Sequence, residues 1–197
     1  MPQSAPVVMF VGDSFTVGSG PVPLWRTYAT ESARLLGWQP VIAGAGGTGY
    51  LNQGRVGRTF QESFEAELAW RPAPDLLIIS GGHNDCPWSP ESVRRAAASL
   101  ISEARTHWPR TRILMIGPIW LHDTPRKAYR LRDALASLAQ QETVPFLDPL
   151  AEQRITGTPS GQLLPDGIHP TAEGHLHLAQ WLADAIGRLP GKDHQGP

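Results

Sequence analysis

Cysteine is almost missing from this chain. Cys86 stands alone among 197 residues, so no disulfide can close within it and nothing in its make-up demands an oxidising compartment. Surplus charge is missing too: 17 Lys and Arg stand against 18 Asp and Glu, for a net charge of -1, and the cations are scattered. That balance lacks the electrostatic footprint of a nucleic-acid or anionic-membrane binder, and neither partner is expected. No apolar run approaches the length of a bilayer span. The first residues show no basic stretch leading into an apolar one and a cleavage site. A cytoplasmic location is therefore the default expectation, with secretion the alternative if a leader has been removed.

Turn formers are plentiful instead. With Gly 20 and Pro 19 interleaved among recurring apolar runs, the composition describes tight loops between buried segments rather than disorder. The length suits a single domain over 1–197, with its core at about 7–188. Short apolar runs bounded by turn residues predict strands near 7–11, 40–43, 75–79, 112–117 and 144–147. Helical patterns fall between them. Over 23–37, Leu24, Tyr28, Leu35 and Leu36 recur at roughly helical spacing, and Gly37 closes the segment. Thr59-Phe60-Gln61-Glu62 has the spacing of a capping box, opening a helix to Trp70 that Pro72 and Pro74 stop. Ser89-Pro90 and Thr124-Pro125 each offer a capping hydroxyl with proline at the first helical position, predicting helices over 89–107 and 124–142. The last helix is expected over 171–189. Strand and helix alternate throughout, which predicts an α/β fold with an open parallel sheet of five strands covered on both faces.

Chemistry concentrates where predicted strands end. Val7-Val8-Met9-Phe10-Val11 runs into Gly12-Asp13-Ser14, a small-residue turn that would hold up one hydroxyl as a nucleophile. The same turn reads equally well as an ordinary strand-to-helix junction with Asp13 or Ser14 as the N-cap. Far downstream, Pro165-Asp166-Gly167-Ile168-His169-Pro170 places a histidine before a proline, which favours an extended conformation, with a carboxylate three positions back. Asp166 could fix the imidazole tautomer of His169, leaving the other nitrogen to take the Ser14 proton, the role logic of a Ser-His-Asp triad. Such a base works neutral, so activity would fall as pH drops through roughly 6 to 7. Leu76-Leu77-Ile78-Ile79-Ser80-Gly81-Gly82-His83-Asn84-Asp85 delivers an uncharged amide donor, Asn84, suited to a tetrahedral oxyanion. The glycines of Gly44-Ala45-Gly46-Gly47-Thr48-Gly49 would let a main-chain N–H approach the same oxygen. Gly47 is the first choice and Gly46 the next. Ser14, Gly47 and Asn84 each follow a predicted strand, and open parallel sheets bind ligands along that rim.

Taken together and in order, Gly-Asp-Ser, a glycine in a Gly-rich turn, Gly-x-Asn-Asp and Asp-x-x-His resemble the blocks of the SGNH (GDSL-type) hydrolase family, over residues 7–188. One block departs: Ile42 stands where the family usually has asparagine, five residues before its oxyanion glycine. The resemblance implies a flavodoxin-like three-layer α/β/α sandwich. It also implies Ser14 as nucleophile, His169 as base, Asp166 as its partner, and the Ser14 N–H, Gly47 and Asn84 as the oxyanion hole. The expected enzyme is a serine esterase or lipase that cleaves carboxylic esters of small molecules or carbohydrates through an acyl-enzyme, with no cofactor and no metal. Lacking a lid-like insertion, the chain suits short acyl groups such as acetyl. Acyl transfer to an alcohol or amine is the alternative enzyme class, and a decayed binding domain is the non-enzyme one.

Other features have plainer readings. The Gly44–Gly49 stretch fits Gly-x-Gly-x-x-Gly, but a dinucleotide turn needs a helix opening on those glycines, and Tyr50 to Gly57 reads as loop. His175 and His177 form a His-x-His pair that helical spacing points apart, so surface or interface histidines are expected rather than metal ligands. His83 is expected on the pocket rim, outside the catalytic set. Cys86 is expected as a small filler. Core packing is the default for Trp88 and Trp120, although both follow strands and could line an acyl pocket.

Overall fold

Five strands line up in parallel in the order β2-β1-β3-β4-β5. They are β1 (Val7–Gly12), β2 (Gln39–Gly44), β3 (Leu76–Ser80), β4 (Arg112–Ile116) and β5 (Phe146–Leu147). The computed structural model describes residues 4–152 and 160–189. Helices α1 (Ser14–Val17), α2 (Tyr28–Leu36), α3 (Phe60–Glu67), α4 (Pro90–His107), α5 (Arg126–Gln141) and α6 (Ala172–Arg188) follow in turn.

The strands are apolar at consecutive positions because both sheet faces are buried. Met9, Val11, Leu77, Ile79, Ile113 and Met115 point into one core with α3, α4 and α5. Their alternates Val8, Phe10, Ile78, Leu114 and Ile116 point into the other with α2 and α6. This is the flavodoxin-like three-layer arrangement. After β2 the chain returns past β1 to lay β3 on its other side, so the order reverses between β1 and β3. In such sheets that reversal opens the crevice where ligands bind.

Local signals set most boundaries. Thr59 accepts from Glu62 N while the Glu62 carboxylate takes the Thr59 N–H, a complete capping box, and Ser89 caps α4 with Pro90 behind it. Each such cap contributes about 1 kcal/mol. Gly37 ends α2 in the left-handed region at φ 67°. Three expectations need correction. The helix predicted over 23–37 is two elements: a 3-10 turn at Leu24–Arg26, then α2, separated by an extended Thr27 whose hydroxyl donates to the Leu24 carbonyl. The buried face is Tyr28, Ala29, Ser32 and Ala33, while Leu24 and Leu35 are 43% and 53% exposed. Pro125, not Thr124, is the residue at the N-cap of α5, and no side chain caps that helix. β5 keeps only two of its four predicted residues, because Thr143 turns the chain at φ 53° and pairing begins after Pro145, which has no N–H.

Candidate active site

Gly12 ends β1 with no room for a side chain: a Cβ there would sit 2.2 Å from Thr16 Oγ1 and 2.8 Å from the Ser80 carbonyl. Asp13 follows as the N-cap of α1, its Oδ1 accepting from Phe15 N at 3.0 Å. Ser14 therefore opens a one-turn helix, 7% exposed, at the carboxyl rim of β1. The two readings of Gly-Asp-Ser are compatible, since the cap is what aims the hydroxyl. Asp13 itself is buried, its Oδ2 has no hydrogen-bond partner among the described residues, and burial pushes its carboxyl up to about 7 against the Phe15 N–H.

His169 reaches this turn from the other end of the chain. Its Nε2 lies 2.8 Å from Ser14 Oγ, and its Nδ1 lies 2.7 Å from Asp166 Oδ2. The loop is tightly tied: Asp166 Oδ1 accepts from the N–H groups of Ile168 and His169 at 2.9 and 3.0 Å, and Leu164 N donates to the His169 carbonyl at 2.8 Å. Burial raises the Asp166 pKa, but hydrogen bonds from the His169 ring and the two main-chain N–H groups outweigh it and hold the carboxyl down at about 2. An ionised carboxylate can only accept, so Nδ1 carries the imidazole proton and Nε2 faces Ser14 as an acceptor.

Asn84 sits in a short 3-10 turn, His83–Asp85, entered through Gly82 at φ 116°. Its Nδ2 donates to the Thr48 carbonyl at 2.9 Å and its own carbonyl accepts from Asn52 Nδ2 at 2.9 Å. One amide hydrogen is thus fixed and the orientation of the other is set by it. The glycine turn comes from the opposite side. Gly46 lies against the serine, so that a Cβ on it would be 3.7 Å from Ser14 Cβ, and Gly47, whose N–H follows directly, adopts φ 78°. No helix opens on these glycines, the next being α3 at Phe60.

Asp85, to which the sequence reading gave no separate role, ties the turn that carries Asn84 to the loop that follows the Gly44–Gly49 stretch. Fully buried, its carboxylate accepts from Tyr50, Leu51 and Asn52 N–H groups at 2.8, 2.9 and 3.0 Å. A Cβ on Gly49 would fall 2.3 Å from its Oδ2, so only glycine fits there. Burial raises the Asp85 pKa and the three main-chain donors pull the other way. The signal in the sequence was its place beside Asn84, just past a buried strand.

The remaining candidates separate cleanly. His83 is half-buried on the rim, stacked on Trp120 at 3.9 Å. Trp88 is 51% exposed and does not pack in the core. Cys86 is half-buried against the α3–α5 core, and burial pushes its thiol up. His175 is not a surface residue. It is 1% exposed, its Nδ1 accepts from Tyr28 N at 3.1 Å, and burial pushes it down to about 4. His177 is exposed and bonded to Gln162.

The sheet is flavodoxin-like, and Ser14, His169 and Asp166 are joined by hydrogen bonds at its carboxyl rim. The sequence matches the GDSL-like lipase/acylhydrolase family over residues 10–176, and the chain belongs to that family. A GDSL lipase of Mycobacterium tuberculosis is 30% identical over 189 residues, covering 91% of this chain and 80% of its own. Among solved structures, the fold is similar to Est24, a carbohydrate acetylesterase from Sinorhizobium meliloti, at TM-score 0.75 and 22% identity, covering 94% of this chain and 100% of that one. It is also similar to the aryl esterase of M. smegmatis, at TM-score 0.74 and 21% identity over the same shares. Among the described residues no helix is long and apolar enough to cross a membrane.

Proposed function

We propose that the protein is a serine esterase that cleaves short-acyl carboxylic esters, acetyl above all, of small alcohols or carbohydrates. The observation that carries this reading is the chain of two short hydrogen bonds from Asp166 through His169 to Ser14. Ser14 Oγ attacks the ester carbonyl carbon as its proton passes to His169 Nε2. The tetrahedral oxyanion is held by the Ser14 and Gly47 N–H groups and the free amide hydrogen of Asn84. The intermediate collapses, His169 gives its proton to the departing alkoxide, and the alcohol leaves. Water, deprotonated by the same nitrogen, then releases the acid and restores the serine. Asp166 stays ionised and stabilises the imidazolium that forms in both halves.

A carbohydrate alcohol agrees with the acetylesterase whose fold this chain resembles. The test is a panel of acetyl, butyryl and octanoyl esters with acetylated sugars, run on wild type and Ser14→Ala side by side. Hydrolysis of the acetyl compounds by wild type and at least a thousandfold less by Ser14→Ala is expected. Equal turnover by both proteins would refute the reading. Adding an alcohol or amine acceptor and analysing products separates hydrolysis from acyl transfer.

A further inference from the structure

A row of rings runs along the rim beside the proposed nucleophile, and the ester chemistry above makes no use of most of it. Trp120, on the loop after β4, stacks on His83 with centroids 3.9 Å apart and planes 21° apart. His83 tilts against Phe15 at 5.4 Å, and Phe15 lies 5.5 Å from the His169 ring. Both stacked residues are pinned from behind. The Nδ1 of His83 is 3.0 Å from the Ile119 carbonyl, which can only accept, so Nδ1–H donates and fixes the ring plane. Trp120 is flanked by Ile119 and Leu121, which are both buried, and the turn carrying His83 rests on Leu131, Leu135 and Pro118, each within 3.5 Å of where a Gly82 Cβ would be.

The three substituents of an ester carbonyl carbon then sort by direction. Its oxygen belongs with Gly47 and Asn84, and its alcohol must face His169, which returns the proton. One direction is left for the acyl group, and His83, next to Asn84 in the same 3-10 turn and carrying Trp120 on its ring, is the residue assigned to it. We propose that the stacked His83–Trp120 pair is the end wall of the acyl site, and that His83 sets the longest acyl chain the enzyme accepts. A lone aliphatic side chain could swing aside for a longer substrate. A ring held by a stack on one side and a carbonyl bond at its edge cannot do so without losing both. Burial also keeps the imidazole neutral by pushing its pKa down, so the wall places no charge against the acyl group. The inference rests on the esterase reading.

Measuring kcat/KM for p-nitrophenyl acetate, butyrate and octanoate in wild type, His83→Ala, Trp120→Ala and Ser14→Ala tests it. Wild type should favour acetate. In His83→Ala and Trp120→Ala the octanoate-to-acetate ratio should rise at least tenfold, since one methylene in a fitted pocket alone is worth about 10 to 200-fold. His83→Phe, which keeps a ring in place, should retain the acetate preference and covers the case in which the alanine variant does not fold. An unchanged chain-length profile in both truncated variants, or a wild type that prefers octanoate, overturns the wall while leaving a Ser14-dependent esterase standing. Turnover that survives Ser14→Ala overturns the parent reading instead.

Discussion

Asp166 holds His169 twice: Oδ2 takes the ring Nδ1–H at 2.7 Å and Oδ1 takes the main-chain N–H of the same residue at 3.0 Å. One carboxylate thus fixes both the tautomer of the imidazole and the loop that carries it. An amide can satisfy only one of these demands, because its nitrogen would face a donor. In Asp166→Asn we expect kcat to fall about 1000-fold or more with KM changed only a few-fold, as when the triad carboxylate of an unrelated serine protease becomes an amide. A loss below tenfold would show that the proposed base needs no partner.

Asn84 is tethered by Thr48 and Asn52, so its removal should leave the turn in place. Asn84→Ala is expected to lower kcat by about 100 to 1000-fold while costing only about 1 kcal/mol of stability for the Thr48 hydrogen bond. Denaturant unfolding beside steady-state kinetics separates the two. A rise in KM with kcat intact would assign Asn84 to ground-state binding.

Asp85 should behave in the opposite way. Three main-chain N–H groups converge on it without solvent, and its loss strands all three. Asp85→Ala is expected to cost about 3 to 5 kcal/mol, since each of the three stranded donors costs about 1 to 3 kcal/mol and part of that sum is offset because a buried carboxylate no longer has to be desolvated. Activity should fall with it, because the glycine turn and Asn84 lose their common anchor. Wild-type stability in this variant would contradict the anchoring role.

Two buried groups titrate in one window with opposite sign. His175 is held down at about 4 against 6.5 unfolded, so its stability is present above 6.5 and is lost as pH falls toward 4. Asp13 is raised to about 7 against 3.8, so its contribution is present below 3.8 and is lost as pH rises toward 7. Each is worth about 3 to 4 kcal/mol over the window by linkage, and the two offset each other in the wild type. Denaturation curves from pH 4 to 7 should therefore show His175→Asn gaining stability relative to wild type as pH falls, and Asp13→Asn gaining it as pH rises. Parallel profiles for all three proteins would exclude these shifts.

The strands were legible because β1, β3 and β4 carry unbroken apolar runs, Val7–Val11, Leu76–Ile79 and Ile113–Ile116, as burial on both faces requires, and the three strand-ending turns brought Ser14, the glycines and Asn84 to one rim. Thr27 broke the helix that Leu24 and Leu35 suggested, since a buried hydroxyl bonded to a carbonyl leaves no trace in apolar periodicity. His175 was readable in principle: with Leu178, Ala179 and Leu182 it completes the buried face of α6, but a histidine counts as polar in such patterns. Asp85 was hidden for a related reason. Its carboxylate is enclosed by main-chain N–H groups that no residue identity encodes.

Covalent labelling tests the centre of the account most directly: reaction with a fluorophosphonate, followed by peptide mass spectrometry and by the labelling rate. One adduct is predicted, on the peptide containing Ser14, absent in Ser14→Ala and formed at least 100-fold more slowly in His169→Ala. An adduct on another residue, or equal labelling of Ser14→Ala, would contradict it.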